Sequence, residues 1–101
     1  MATPRTNRSF VVEVPKLLKS RGLSIRALAR AAGVTDAHLS RVLRRVSYKT
    51  PGGDLARRVA VALDLPHDYF PEYREAFVVD RVRKDGRLRD EVYDRLQGSR
   101  G

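Results

Sequence analysis

Apolar residues recur along this chain at the three- and four-residue intervals of helices, and the breaks between the runs fall at Gly and Pro. Pro15 suits a first helical turn and is followed by Leu17 and Leu18, so the spacing predicts a first helix over 15–21, ended by Gly22. The preceding run, residues 10–14, is β-branched and could form a short strand. Leu28, Ala29 and Ala32 give a second helix, 24–32, one apolar side, and Leu39, Val42 and Leu43 do the same for a third, 36–45. After a loop at 47–53, Leu55, Val59, Ala62 and Leu63 form the inner face of a fourth helix over 53–63, with Asp54 placed for the N-terminal dipole. Pro66 is expected to open a short fifth helix that buries Phe70, and Pro71 interrupts it. A sixth helix, 72–84, carries Tyr73, Ala76, Phe77 and Asp80 along one side; Gly86 separates it from a seventh, 87–97, with Leu88, Val92, Tyr93 and Leu96 at helical spacing. The fold class predicted is all-α.

Helices two and three are joined with almost no room for a loop, and that compactness needs particular residues. Gly33 supplies the left-handed conformation that ends one helix within a residue, and Val34 fills the angle that follows. Ser24 and Thr35 stand before the two runs as hydroxyl N-caps. Ala29 falls where two helices crossing steeply come closest, so its small side chain lets the backbones approach. The segment reads as a helix-turn-helix.

Leu23, Ser24, Leu28, Ala29, Gly33, Val34, Thr35, Leu39, Ser40 and Val42 resemble the motif of the lambda-repressor-like or xenobiotic-response-element (Cro-type) helix-turn-helix family. The similarity continues through Thr50-Pro51-Gly52-Gly53-Asp54-Leu55 and through Ala60-Val61-Ala62-Leu63-Asp64-Leu65, which is similar to the family's A-x-A-L-G-[VL] ending. Ile25 stands where the family commonly has a phosphate-binding Gln, Leu43 where it has Glu, and Arg45 where it has Gly. The resemblance implies a lambda-repressor-like five-helix DNA-binding domain over 10–70, preceded by a flexible basic arm at 1–9. Two additional C-terminal helices over 71–101 then form an extension.

Charge places a partner on that domain. Residues 1–30 hold seven Lys or Arg against one acid, residues 31–63 six against two, and residues 64–101 eight against nine, within a total of +9. A polyanion such as double-stranded DNA fits the positive half, because neutralised phosphates release counterions. The 17 Arg against 4 Lys also suit a GC-rich genome, but that bias alone does not leave the last third near-neutral. A chain of 101 residues and 42% hydrophobic content fits one small domain. No stretch is long enough to span a bilayer, the first ten residues lack the apolar run of a secretory signal, and there is no cysteine. The expected setting is cytoplasmic, for a bacterial or phage-encoded protein acting at the nucleoid.

With Leu39, Val42 and Leu43 committed inward, the outer side of the third helix is left to Asp36, Ala37, Ser40, Arg41 and Arg44. The resemblance assigns base edges to Asp36, Ala37 and Arg41, with Ser40 beside them. Arg41 suits a guanine, Asp36 a cytosine N4, and the Ala37 methyl a thymine methyl. An acid in a first helical turn is also favourable without a ligand, so Asp36 has both readings. Phosphate candidates are Arg26, Thr35, Arg44, Arg45, Ser47, Tyr48, Lys49 and Thr50, with Gly53 allowing close backbone approach. His38 either bonds a phosphate or is a solvated surface residue.

Two histidines far apart in sequence, no cysteine and no Gly-rich phosphate loop with its lysine leave an enzyme without parts. No catalytic residues, metal site or cofactor are expected. The C-terminal helices have three readings: a homodimer interface suited to a palindromic operator, a cap on the chain's own core, or a surface for another protein, as in the family's antitoxins. The functional expectation is a sequence-specific DNA-binding transcriptional regulator, a repressor by preference.

Overall fold

The computed structural model describes residues 5–44 and 51–98. Among them six helices appear and no strand: α1 (Phe10–Arg21), α2 (Ile25–Ala32), α3 (Asp36–Leu43), α4 (Gly53–Ala62), α5 (Pro71–Lys84) and α6 (Gly86–Gly98). The core draws on α1 to α4 and the turn before α5. Phe10, Val14, Leu28, Leu39, Val59, Leu63 and Phe70 are its largest fully enclosed side chains.

Three of the helices stop in the same way. At the ends of α1 and α2, Gly22 and Gly33 are left-handed, with φ of 62° and 74°. The amide beyond each reaches back five residues, Leu23 to the Leu18 carbonyl and Val34 to that of Ala29, while the glycine amides bond Lys19 and Arg30. This is the Schellman arrangement. The end of α4 repeats it with Asp64 at φ 59°, the Leu65 amide on the Ala60 carbonyl and the Asp64 amide on that of Val61. A Cβ is held there at a steric cost that glycine avoids. The expected N-caps form at the other ends: Ser24 Oγ accepts from the Ala27 amide at 3.0 Å and Thr35 Oγ1 from that of His38 at 3.1 Å.

Two expectations need correcting. The first helix begins at Phe10 rather than Pro15, and residues 10–14 are not a strand. Burial of Phe10, Val14 and Leu18 at four-residue spacing outweighs the β-branched character of Val11 and Val12. Pro15 lies inside the helix with its side chain exposed, leaving the Val11 carbonyl without the amide a non-proline would supply. The expected fifth helix after Pro66 is a turn, closed by the Tyr69 amide on the Pro66 carbonyl at 2.9 Å. Pro71 opens α5 and forces Phe70 into an extended conformation, so the few residues between two prolines cannot complete a helix. The domain is therefore four helices and a turn, followed by two more helices.

The start of α1 and the start of α5 are locked together. Ser9 makes no side-chain cap; instead both carboxylate oxygens of Glu72, buried on α5, accept from the Phe10 amide at 3.1 and 3.0 Å. A carboxylate at a helix N-terminus is favoured by the dipole, and here it also satisfies a buried donor. The Phe10 and Phe70 rings meet edge-on at 5.0 Å beneath it. Residues 5–9 are laid across the turn rather than standing free as an arm: the Thr6 amide donates to the Tyr69 carbonyl at 3.0 Å, Arg74 donates to the Thr6 carbonyl, and Arg5 lies 3.6 Å from Asp68. Tyr69 is buried beside Glu13, and burial first, then that negative charge, pushes its phenol above the ordinary value.

Beyond Tyr73 the architecture changes. The α5–α6 hairpin leaves the core, and α6 packs substantially only on α5. One residue makes the corner: the Asp85 amide closes α5 on Arg81, while Asp85 Oδ1 accepts from the Arg87 and Leu88 amides as the N-cap of α6. The Cα radius of gyration is 16.0 Å, against about 13 Å expected of a compact chain this long.

Candidate nucleic-acid interface

Only Gly33, Val34 and Thr35 separate α2 from α3. Val34 is half-buried against the core, Ala29 is enclosed between neighbouring helices, and Leu39 is fully buried, with Val42 and Leu43 packed beside it. These contacts fix which side of α3 faces water. Asp36, Ala37, His38, Arg41 and Arg44 are exposed there, and Ser40 is half-buried among them. The four base-reading candidates thus share one surface, with Ser40 the least accessible.

That surface is shaped by α2 as well as by α3. Arg26 Nε lies 3.6 Å from Asp36 Oδ2, across the angle between the helices. Both partners are largely solvated, so the pair is weak and free to open toward a competing phosphate or base. On one side of it, Ile25, Ala37 and Ser40 complete a notch of about 300 Å³. On the other, Ala29, Arg30 and Val34 complete one of about 390 Å³. Ile25, at the family's Gln position, gives the first notch an apolar edge. Arg30 was not among the sequence candidates, although it stands one turn after Arg26 on the same helix face.

The phosphate candidates divide. Thr35 uses its oxygen as the N-cap acceptor, leaving its hydroxyl proton to donate outward. Arg44 ends α3 in the bridge conformation and is exposed. Gly53 opens α4, and a Cβ there would stand 2.8 Å from the Ala76 Cβ of α5. Close packing on α5 therefore explains the glycine without a ligand. Arg45, Ser47, Tyr48, Lys49 and Thr50 lie outside the described residues. Among the described residues no group of His, Asp and Glu could hold a metal ion, and no helix is long and apolar enough to cross a membrane.

A family model described as helix-turn-helix matches residues 16–70, just over half of the chain. No curated protein and no solved structure matches it.

Proposed function

Because this chain belongs to the lambda-repressor-like, xenobiotic-response-element helix-turn-helix family, a family of DNA-binding transcription regulators, we propose that it reads a specific duplex sequence by laying α3 in the major groove. The observation that carries this is the division of α3 into a buried stripe around Leu39 and an exposed set, Asp36, Ala37 and Arg41, at its N-terminal and central turns. Arg41 reads guanine, Ala37 offers a methyl, and Asp36, once released by Arg26, accepts from a base or remains a first-turn acid. Arg26, Arg30, Thr35, His38 and Arg44 frame the reading face and contact phosphates. They set register and affinity and carry no sequence information. The regulator acts in the cytoplasm, as a repressor where its site overlaps a promoter.

Selection of bound duplexes from a random pool tests the reading, followed by Arg41→Ala on the recovered site. Loss of about 1–3 kcal/mol on that site, with little change on random DNA, is the expected result. Equal losses on both would remove Arg41 from the base-reading set.

The same proposal extends to assembly. The hairpin from 71 to 98 carries seven basic and seven acidic side chains, so it neither attracts DNA nor repels a copy of itself. On α6, Val92, Tyr93 and Leu96 are exposed, Tyr93 by 59%. A homodimer covering this face would present two copies of α3 to a palindromic site, at centres roughly 34–36 Å apart or a multiple of that spacing. Light scattering of the parent and of Tyr93→Asp tests it: the parent is expected to have a dimer's mass and the variant a monomer's. A parent that is monomeric at micromolar concentration and binds a half-site without cooperativity refutes it.

A further inference from the structure

Away from α3, the 66–70 turn, Arg5 and the first two turns of α5 line an open cleft of about 390 Å³. Its walls differ in kind. One is aromatic and aliphatic: His67 meets Tyr73 edge-on at 5.4 Å, Tyr73 adjoins Phe77 at 6.4 Å, and Val78 extends the surface. Phe77 and Val78 are 53% and 57% exposed, although nothing in the fold requires them to face water. The other wall is cationic.

The two arginines of that wall are unequal. Arg5 is matched by Asp68 at 3.6 Å, so the acid in the cleft is already engaged. Among the described residues Arg74 has no carboxylate within ion-pair distance, Glu13 included; it donates to the Thr6 carbonyl, and its Nε is buried without an acceptor. A partly buried guanidinium without a counter-charge is an unfavourable arrangement within the chain's own atoms, and since its Nε is closed off, a ligand in the cleft would meet the outer face of the group. Arg81, 5.8 Å above the Phe77 ring, adds positive potential at the outer edge. An unneutralised cation beside an apolar wall specifies a ligand with both characters. Phosphate alone would leave Tyr73, Phe77 and Val78 wet, and a neutral or cationic ligand would leave Arg74 as it is.

We propose that this cleft binds a small organic monocarboxylate with an aromatic or branched aliphatic body, its carboxylate against Arg74 and its body against Tyr73, Phe77 and Val78. The volume falls within the ordinary range for small-molecule sites. Arginine is suited to the planar carboxylate, and the adjacent apolar wall supplies the burial that a charge contact alone lacks. The site joins α5 to the turn and to residues 5–9, so an occupant would brace the hairpin against the core. None of this depends on which DNA sequence α3 reads.

The experiment titrates the isotope-labelled full chain with phenylacetate and with 4-methylpentanoate, following amide shifts by NMR, with phenylacetamide as the neutral isostere. Saturable shifts at His67, Tyr73, Phe77 and Val78 are expected, with the amide weaker by about tenfold or more. Arg74→Met should weaken the acid by a similar factor while leaving the amide unchanged. Val78→Glu, on an exposed position outside the core, should repel the carboxylate without unfolding the chain. No saturable shift from either acid through the millimolar range, equal binding of the amide, or undiminished binding by a folded Val78→Glu overturns the proposal. Since the readout is ligand binding, failure here leaves the DNA-reading proposal untouched, and the converse holds.

Discussion

The two halves of this chain carry the same kind of helical pattern and use it differently. In α1 to α4, the apolar stripes meet one another: Phe10, Val14, Leu28, Leu39, Val59 and Leu63 are all fully enclosed. In the α5–α6 hairpin, Leu88, Val92 and Leu96 also recur at helical spacing, yet Val92, Tyr93 and Leu96 remain exposed, as do Phe77, Val78 and Val79, and the one buried residue of α5 is an acid, Glu72. Periodicity identifies a helix and its apolar side. Whether that side becomes core depends on another surface at the right place, which for much of the hairpin the described residues do not supply.

The sharpest way to break this contrast is to truncate the same residue type on each side. Phe70→Ala, beneath the Phe10 ring, should cost about 3–5 kcal/mol in urea unfolding, whereas Phe77→Ala should cost less than about 1 kcal/mol in the monomer. Comparable losses would mean that the hairpin is core after all. The join comes next in size. Gly53→Ala puts a methyl 2.8 Å from the Ala76 Cβ and should cost about 1–3 kcal/mol, and Ala76→Gly in the same chain should recover part of it. A neutral Gly53→Ala would show that α5 does not press on α4. Asp64→Gly works in the other direction: relieving a left-handed Cβ should raise stability by about 0.4–1 kcal/mol without affecting DNA binding.

The smallest effect appears only in alkali. Tyr69 has a raised phenol pKa in the fold, so the folded chain holds its proton where the unfolded chain has begun to lose it. The stability it contributes is complete below its ordinary value of 10.0 and is lost as the pH rises through the higher folded value. Tyr69→Phe should flatten that alkaline limb, while loss of the hydroxyl's bond to Glu13 lowers the whole curve without changing its shape. A limb that persists in the variant assigns the loss to other groups.

What was legible in the sequence follows from the distance between a residue and its cause. Ser24, Gly33 and Thr35 act within a few residues of themselves, and the inner stripes of α2 and α3 are written at intervals of three and four, so the helix-turn-helix and the exposed face of α3 could be read directly. The start of α1 could not, because Val11 and Val12 argue locally for a strand and are overruled by Phe70 and Glu72. The packing demand on Gly53 could not be read locally, because its neighbour Ala76 on α5 is distant in sequence. Asp64 and Asp85 were within reach: one occupies the resemblance's Gly position, and the other is an acid placed before a helical run. The unneutralised Arg74 depends on Thr6, 68 residues away, and left no local trace.

The Glu72 carboxylate on the Phe10 amide bears on how portable the DNA-reading unit is. The shared family stretch is residues 16–70, yet the bond that secures the first helix joins residues 62 apart, and both lie outside that stretch. Excising the matched segment would remove the lock and its key together, along with Phe10 and Val14 from the core. A graft, fusion or minimal fragment built on the family's borders would carry α3 and lose part of the frame that holds it still. The transplantable piece starts before Phe10 and runs past Glu72, into the first turn of α5.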